Sequence, residues 1–96
     1  MATSIATASD GDFVVSRHGV LYFYWIDGSG ALKGKIYDSQ MNVLKTTFTV
    51  VAAGVDDEGI AVRDYFIGGA NWGIGILYGA SGTLTYITSN DGVTFS

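Results

Sequence analysis

The sequence predicts an all-β fold of two four-stranded antiparallel units, and three observations carry that expectation. Fourteen glycines, no proline, six tyrosines, five phenylalanines and two tryptophans suit sheets and tight turns better than helices. Short alternating apolar runs recur between breaks rich in glycine, serine and aspartate, roughly every eight to twelve residues, and no long stretch combines helical periodicity with caps. The chain also repeats itself. Ser29-Gly30-Ala31-Leu32 returns as Ser81-Gly82-Thr83-Leu84, while Val43 lines up with Val93 and Phe13 with Ile60. One eight-stranded sandwich or barrel is the alternative arrangement of the same strands.

Residues 1–9 are small and polar except for Ile5, reading either as a tail or as an edge strand that docks on another unit. Asp10-Gly11-Asp12 reads as a turn and residues 13–16 as a short strand; Arg17-His18-Gly19 then turns the chain. The central element is residues 20–37, VLYFYWIDGSGALKGKIY, two strands joined at Asp27-Gly28-Ser29-Gly30. Its first strand is apolar on both faces, which calls for cover on both. Its second alternates Leu32, Gly34 and Ile36 with Lys33 and Lys35, the pattern of a half-exposed strand. A turn at 38–42 follows, then the β-branched strand 43–51 and a loop at 52–59 carrying Asp56-Asp57-Glu58. Strand character resumes at 60–67, breaks at Gly68-Gly69-Ala70-Asn71, and continues through 72–78, 83–88 and 93–96, with turns at 79–82 and 89–92. The chain therefore reads as a single domain, 1–96, with approximate repeats at 10–52 and 57–96.

Composition narrows the functional classes. Nine acidic residues against five basic ones give a formal charge of −4, and the cations are dispersed, so nucleic acid is not an expected partner. The absence of cysteine removes disulfides, thiolate metal sites and a cysteine nucleophile. No apolar run is long enough to span a bilayer as a helix, and residues 1–12 lack the features of a signal peptide, so a soluble, cytoplasmic or virion-associated protein is expected. Nearly half the residues are hydrophobic and only 15 % are charged, which points to self-association as a way of hiding apolar surface.

A repeat near fifty residues with four strands per copy is the spacing of a propeller blade. The residues SDGDFVV, WIDGSG and GKIYDSQMNVLKTTFTV resemble the blade repeats of large bacterial surface proteins. Ser89-Asn90-Asp91-Gly92-Val93-Thr94-Phe95 resembles the Asp-box of sialidase-like propellers, S-x-D-x-G-x-T-W/F, one residue short. That resemblance implies structural roles for Ser89, Asp91, Gly92, Thr94 and Phe95, alongside the turn residues Asp27, Gly28 and Gly30. Two blades cannot close a ring, and in this the chain resembles small bacterial fucose-binding lectins whose two-blade subunits trimerise. The resemblance implies a homo-oligomer, with a trimer favoured. The sugar-binding arginine and glutamate of those lectins have no counterpart in residues 73–78, so their site does not carry over.

The chemistry-bearing residues are few. His18 stands alone before Gly19 and reads as a turn residue, and Asp56-Asp57-Glu58 lacks the full pattern of a calcium loop. The glycines at 68–75 have no following helix or lysine to make a phosphate loop. No catalytic residue, metal or cofactor is expected. The best ligand constellation is Arg63, Asp64 and Tyr65 followed by Asn71 and Trp72, a mixture of aromatic, amide and charged groups suited to a glycan. The bland reading of Trp72, as core between the two units, is nonetheless the favoured one, and Trp25, inside the two-sided apolar run, reads as core. The leading functional expectation is a non-catalytic, multivalent lectin-like module; a structural or assembly protein is second and a glycosidase third.

Overall fold

The fold is all-β, as the alternating pattern requires, and consists of two antiparallel sheets. The structure is a computed structural model that describes every residue except 1, 9, 17, 58 and 70, with the side chains of 15, 66 and 71 also outside the described set. The first sheet contains β1 (Asp10–Val15), β2 (Leu21–Ile26), β3 (Leu32–Tyr37) and β4 (Val43–Val51), in that order. The second contains β5 (Ile60–Gly68), β6 (Asn71–Ala80) and β7 (Thr83–Ser89), likewise in chain order. Among the described residues no helix is long and apolar enough to cross a membrane.

Three hairpin loops of one design fold the first sheet. Their leading residues, Ser16, Asp27 and Asp38, stand eleven positions apart. In each loop the leading N–H donates to the carbonyl four residues on: Ser16 to Val20 at 2.8 Å, Asp27 to Ala31 at 2.9 Å and Asp38 to Asn42 at 2.9 Å. The leading side-chain oxygen accepts the N–H groups two and four residues on, which are His18 and Val20, Ser29 and Ala31, and Gln40 and Asn42. The fourth residue takes a positive φ, 74° at Gly19, 82° at Gly30 and 65° at Met41. This is the three-residue hairpin with a left-handed closing residue. His18 and Asp27–Gly30 are therefore turn residues, as expected, while Arg17 lies outside the described residues.

The two sheets bury one face each against the other. Tyr24 and Ile26 of β2, Leu32 of β3 and Ile74 and Ile76 of β6 form the core with Val55 from the connecting loop. Alternation then places Tyr22, Tyr24 and Ile26 inward and Leu21, Phe23 and Trp25 outward on β2. A Cβ on Gly34 would lie 2.6 Å from the Phe48 ring and 2.9 Å from Tyr24, so only glycine admits these rings across the sheet.

Polar atoms stitch the sheets at three places. Asp10 and Asp12 of β1 accept the N–H groups of Ile60 and Val62 of β5, each at 2.9 Å. Both partners advance by two residues, so β1 and β5 lie alongside one another in the same chain direction. The Tyr24 hydroxyl donates to the Gly92 carbonyl at 2.5 Å. The connecting loop bridges the β2–β3 turn and the end of β6: Val55 N–H donates to the Gly30 carbonyl at 3.0 Å and Asp56 N–H to that of Gly79 at 2.7 Å.

Several expected boundaries are corrected. Asp10-Gly11-Asp12 belongs to β1, because its register with Ile26, Trp25 and Tyr24 extends the ladder to the next hairpin. The β6 strand runs through Ala80, and the turn is confined to Ser81 and Gly82, both at positive φ. The second sheet has three strands instead of four: beyond Ser89 the backbone bends through a side-chain-organised turn. It rejoins β7 only where Thr88 and Ser96 exchange backbone hydrogen bonds of 3.1 and 3.0 Å. The Asp56 carboxylate accepts the N–H groups of Ser81 and Gly82 at 3.3 Å.

Candidate functional site

Strand alternation decides which of the five expected ligand residues can meet. Arg63 pairs with Gly75 and Tyr65 with Gly73, so these two project from the outer face of the second sheet. Asp64 pairs with Ile74, a core residue, and Trp72 shares that inward side two positions earlier. The expected cluster is thus divided between two faces. Trp72 is half-buried on the core side, the Asn71 side chain lies outside the described residues, and Ala70 lies outside them altogether.

The outer face instead brings Arg63 to Tyr86, a residue of β7 that sequence reasoning did not single out. Tyr86 pairs with Leu77, and its ring leans across the space above Gly75, where an added Cβ would collide with the phenol. Gly75 is the direct cross-strand partner of Arg63, so Arg63 and Tyr86 border the same part of this face. Arg63, Tyr86, Ala61 and Leu77 line an open recess of about 370 Å³. On the adjoining pair the Tyr65 ring covers Gly73 in the same manner, its Cε1 2.7 Å from where a Cβ would stand. Tyr65 and Tyr86 thus each reach over a glycine of β6 on the face where Arg63 is exposed, although the Ser89 carbonyl oxygen, at 2.5 Å, is nearer than Tyr65 to the Cβ position of Gly73.

This arrangement has a defined chemical capacity. The Tyr86 ring is 52 % exposed, and an accessible aromatic ring suits the apolar C–H face of a sugar. The guanidinium adds donors that hydroxyl oxygens accept. The signal was available in the parity of positions 63 and 65 and in the glycines at 73 and 75. Locating Tyr86 required the β6–β7 register, which the turn at 81–82 sets.

The other singled-out residues serve the fold. Ser89 Oγ donates to Asp91 Oδ1 at 2.8 Å and accepts the N–H groups of Asp91 and Gly92 at 3.2 and 2.9 Å. Asp91 Oδ1 also accepts the Val93 and Thr94 N–H groups, each at 2.9 Å. These bonds, the two backbone ones foremost, hold the Asp91 carboxyl below its ordinary range. Phe95 packs edge-on against Tyr24 with centroids 5.7 Å apart. Thr88, Ser89, Asn90, Asp91, Thr94 and Ser96 surround a second, more polar recess, but Asp91 is already committed to the turn. Among the described residues no group of three or more histidine, aspartate or glutamate side chains gathers as a metal site.

No protein-family model matches this chain. Neither the curated proteins nor the solved structures contain a significant match to it.

Proposed function

We propose that this protein is a non-catalytic binding module that takes a carbohydrate on the outer face of its second sheet. The observation that carries this reading is the recess shared by Arg63 and Tyr86, with the Tyr86 ring over Gly75. A pyranose would stack on a phenol while Arg63 donates to its ring hydroxyls. Trp72, on the core side, takes no part.

The two sheets are further read as two propeller-type blades. Supporting this, β1 and β5 are the leading strands of their sheets, run in the same sense, and are joined by bonds spanning 50 residues. In such a ring the outer faces would meet further blades, supplied by copies of the chain, so the ring and a glycan on the outer face of the second sheet are alternatives.

A glycan array followed by calorimetry tests the proposal. Arg63→Ala and Tyr86→Ala should each abolish a glycan signal that Trp72→Phe leaves intact. Failure to bind any glycan, or binding indifferent to Arg63 and Tyr86, refutes it. Solution mass tests the ring separately: a single-chain mass at all concentrations removes it and leaves the recess untouched.

A structural or assembly role is the second reading, favoured by exposed apolar side chains. Leu84 is 74 % exposed, and Leu77 joins it on the same outer face. A stable oligomer with no glycan signal would select this reading.

A further inference from the structure

The outer face of the first sheet carries a second, chemically different site. Phe13 of β1 stacks on Phe23 of β2, with centroids 5.5 Å apart, and Phe23 meets Tyr37 of β3 edge-on at 5.6 Å. This aromatic row crosses three strands on the side turned away from the core. Residues 2–8 provide cover there: Ile5, Ala6 and Ala8 join Phe13, Phe23 and Trp25 in lining a cavity of about 370 Å³. Trp25 points outward by register, yet it is only 6 % exposed, so the cavity has a covered floor. Phe13, at 52 %, forms an open rim. Asp12 also borders the cavity, but its two carboxylate oxygens accept the Phe13 and Val62 N–H groups, and its register faces the core.

Charge gives the site its selectivity. Lys33 is the direct cross-strand partner of Trp25 and Lys35 that of Phe23, which puts both ammonium groups on this face. Lys33 Nζ donates to Thr49 Oγ1 at 2.8 Å, and Lys35 Nζ stands 5.2 Å from the Tyr37 ring centroid. Lys33 and Lys35 are two of the chain's five basic residues and stand on this face one strand over from the cavity, whose own lining, among the described residues, holds no cation. Its volume is within the range of small-ligand sites.

We infer that this cavity binds an amphipathic monoanion. The apolar body lies between residues 2–8 and the Phe13–Phe23–Trp25 surface, and the carboxylate or sulfonate faces Lys33 and Lys35. The site is independent of the carbohydrate reading, which concerns the other sheet.

The test uses the full chain carrying Trp72→Phe, so that energy transfer to bound 1-anilinonaphthalene-8-sulfonate comes from Trp25. Saturable transfer is expected, displaced by dodecanoate and much less effectively by dodecanol. The Lys33→Met/Lys35→Met pair should raise the dissociation constant roughly fivefold. Phe13→Asp, which removes the open rim, should weaken binding further, with folding of the variant checked by circular dichroism. Arg63→Ala should have no effect. Equal competition by dodecanol, affinity unchanged in the lysine pair or in Phe13→Asp, or only non-saturable dye fluorescence would overturn the inference.

Discussion

Removing one oxygen atom, in Tyr24→Phe, tests how the two sheets are held together. Tyr24 is 1 % exposed and its hydroxyl donates to the Gly92 carbonyl, joining β2 to the turn after β7. The substitution keeps the ring, so the edge-on contacts with Phe48 at 6.2 Å and Phe95 at 5.7 Å persist. What is lost is one buried hydrogen bond, with the Gly92 carbonyl left unpaired. Such a change costs about 2 kcal/mol, the sum of a modest net bond and the desolvation of its orphaned partner. For a domain of this size that corresponds to a fall of about 10 °C in Tm. Urea unfolding followed by circular dichroism should show a lower midpoint with an unchanged m-value, because the surface exposed on unfolding is the same.

Alkaline pH supplies an internal check on the same residue. Burial, first, and the neighbouring Tyr22 and Asp91, second, raise the Tyr24 pKa far above the ordinary tyrosine value. The folded phenol keeps its proton while the unfolded one loses it near pH 10. The contribution is therefore complete below about pH 10 and declines by about 1.4 kcal/mol per unit as the pH rises beyond it. Tyr24→Phe should lose this share of the slope. A midpoint within about 0.5 kcal/mol of wild type and an unaltered alkaline limb would refute the bridging role, since no unpaired carbonyl would then have been created.

Three further outcomes follow from the loops and rings. Met41→Gly should stabilise the fold by about 0.5 kcal/mol in urea titrations, because relief of a φ of 65° outweighs the added freedom of the unfolded chain. Gly34→Ala should destabilise it by about 2 kcal/mol, since a methyl at that point drives the Phe48 and Tyr24 rings apart. Asp27, Asp38 and Asp91 have carboxyls held low by the backbone N–H groups of Ala31, Asn42 and Thr94 respectively, with further bonds adding to each. Stability should be level above the ordinary carboxylate pKa of about 3.9 and fall as the pH drops below it through the depressed folded values. Asp91→Asn should flatten that acid limb, as read from urea midpoints at successive pH values.

Local chemistry was the most legible layer of the sequence. Asp27-Gly28-Ser29-Gly30 specifies its own loop through an acceptor at the first residue and a left-handed glycine at the fourth. The same loop at 38–42 is harder to see, because Met41 occupies the left-handed position that glycine usually marks. Asp10-Gly11-Asp12 misled for a related reason. Its composition is that of a turn, but the carboxylates that would organise a turn serve the β5 N–H groups instead. The expected Arg63–Trp72 cluster failed on parity, since neighbouring residues of a strand face opposite ways and chain proximity of Arg63 and Asp64 is no proximity of side chains.

The sequence by itself determined the all-β class, the hairpin loops and the apolar strand 20–26, because these depend on turn chemistry and side-chain alternation within a few residues. The repeats it suggested, 10–52 and 57–96, each enclose one of the two sheets. Only the tertiary structure decided which face of each strand became core and how the sheets are tied across 50 and 68 residues. It likewise placed Tyr86 beside Arg63 and residues 2–8 beside Trp25. Those pairings arise where separate segments compete for the same surface, and register between distant strands is fixed by packing that no local pattern encodes.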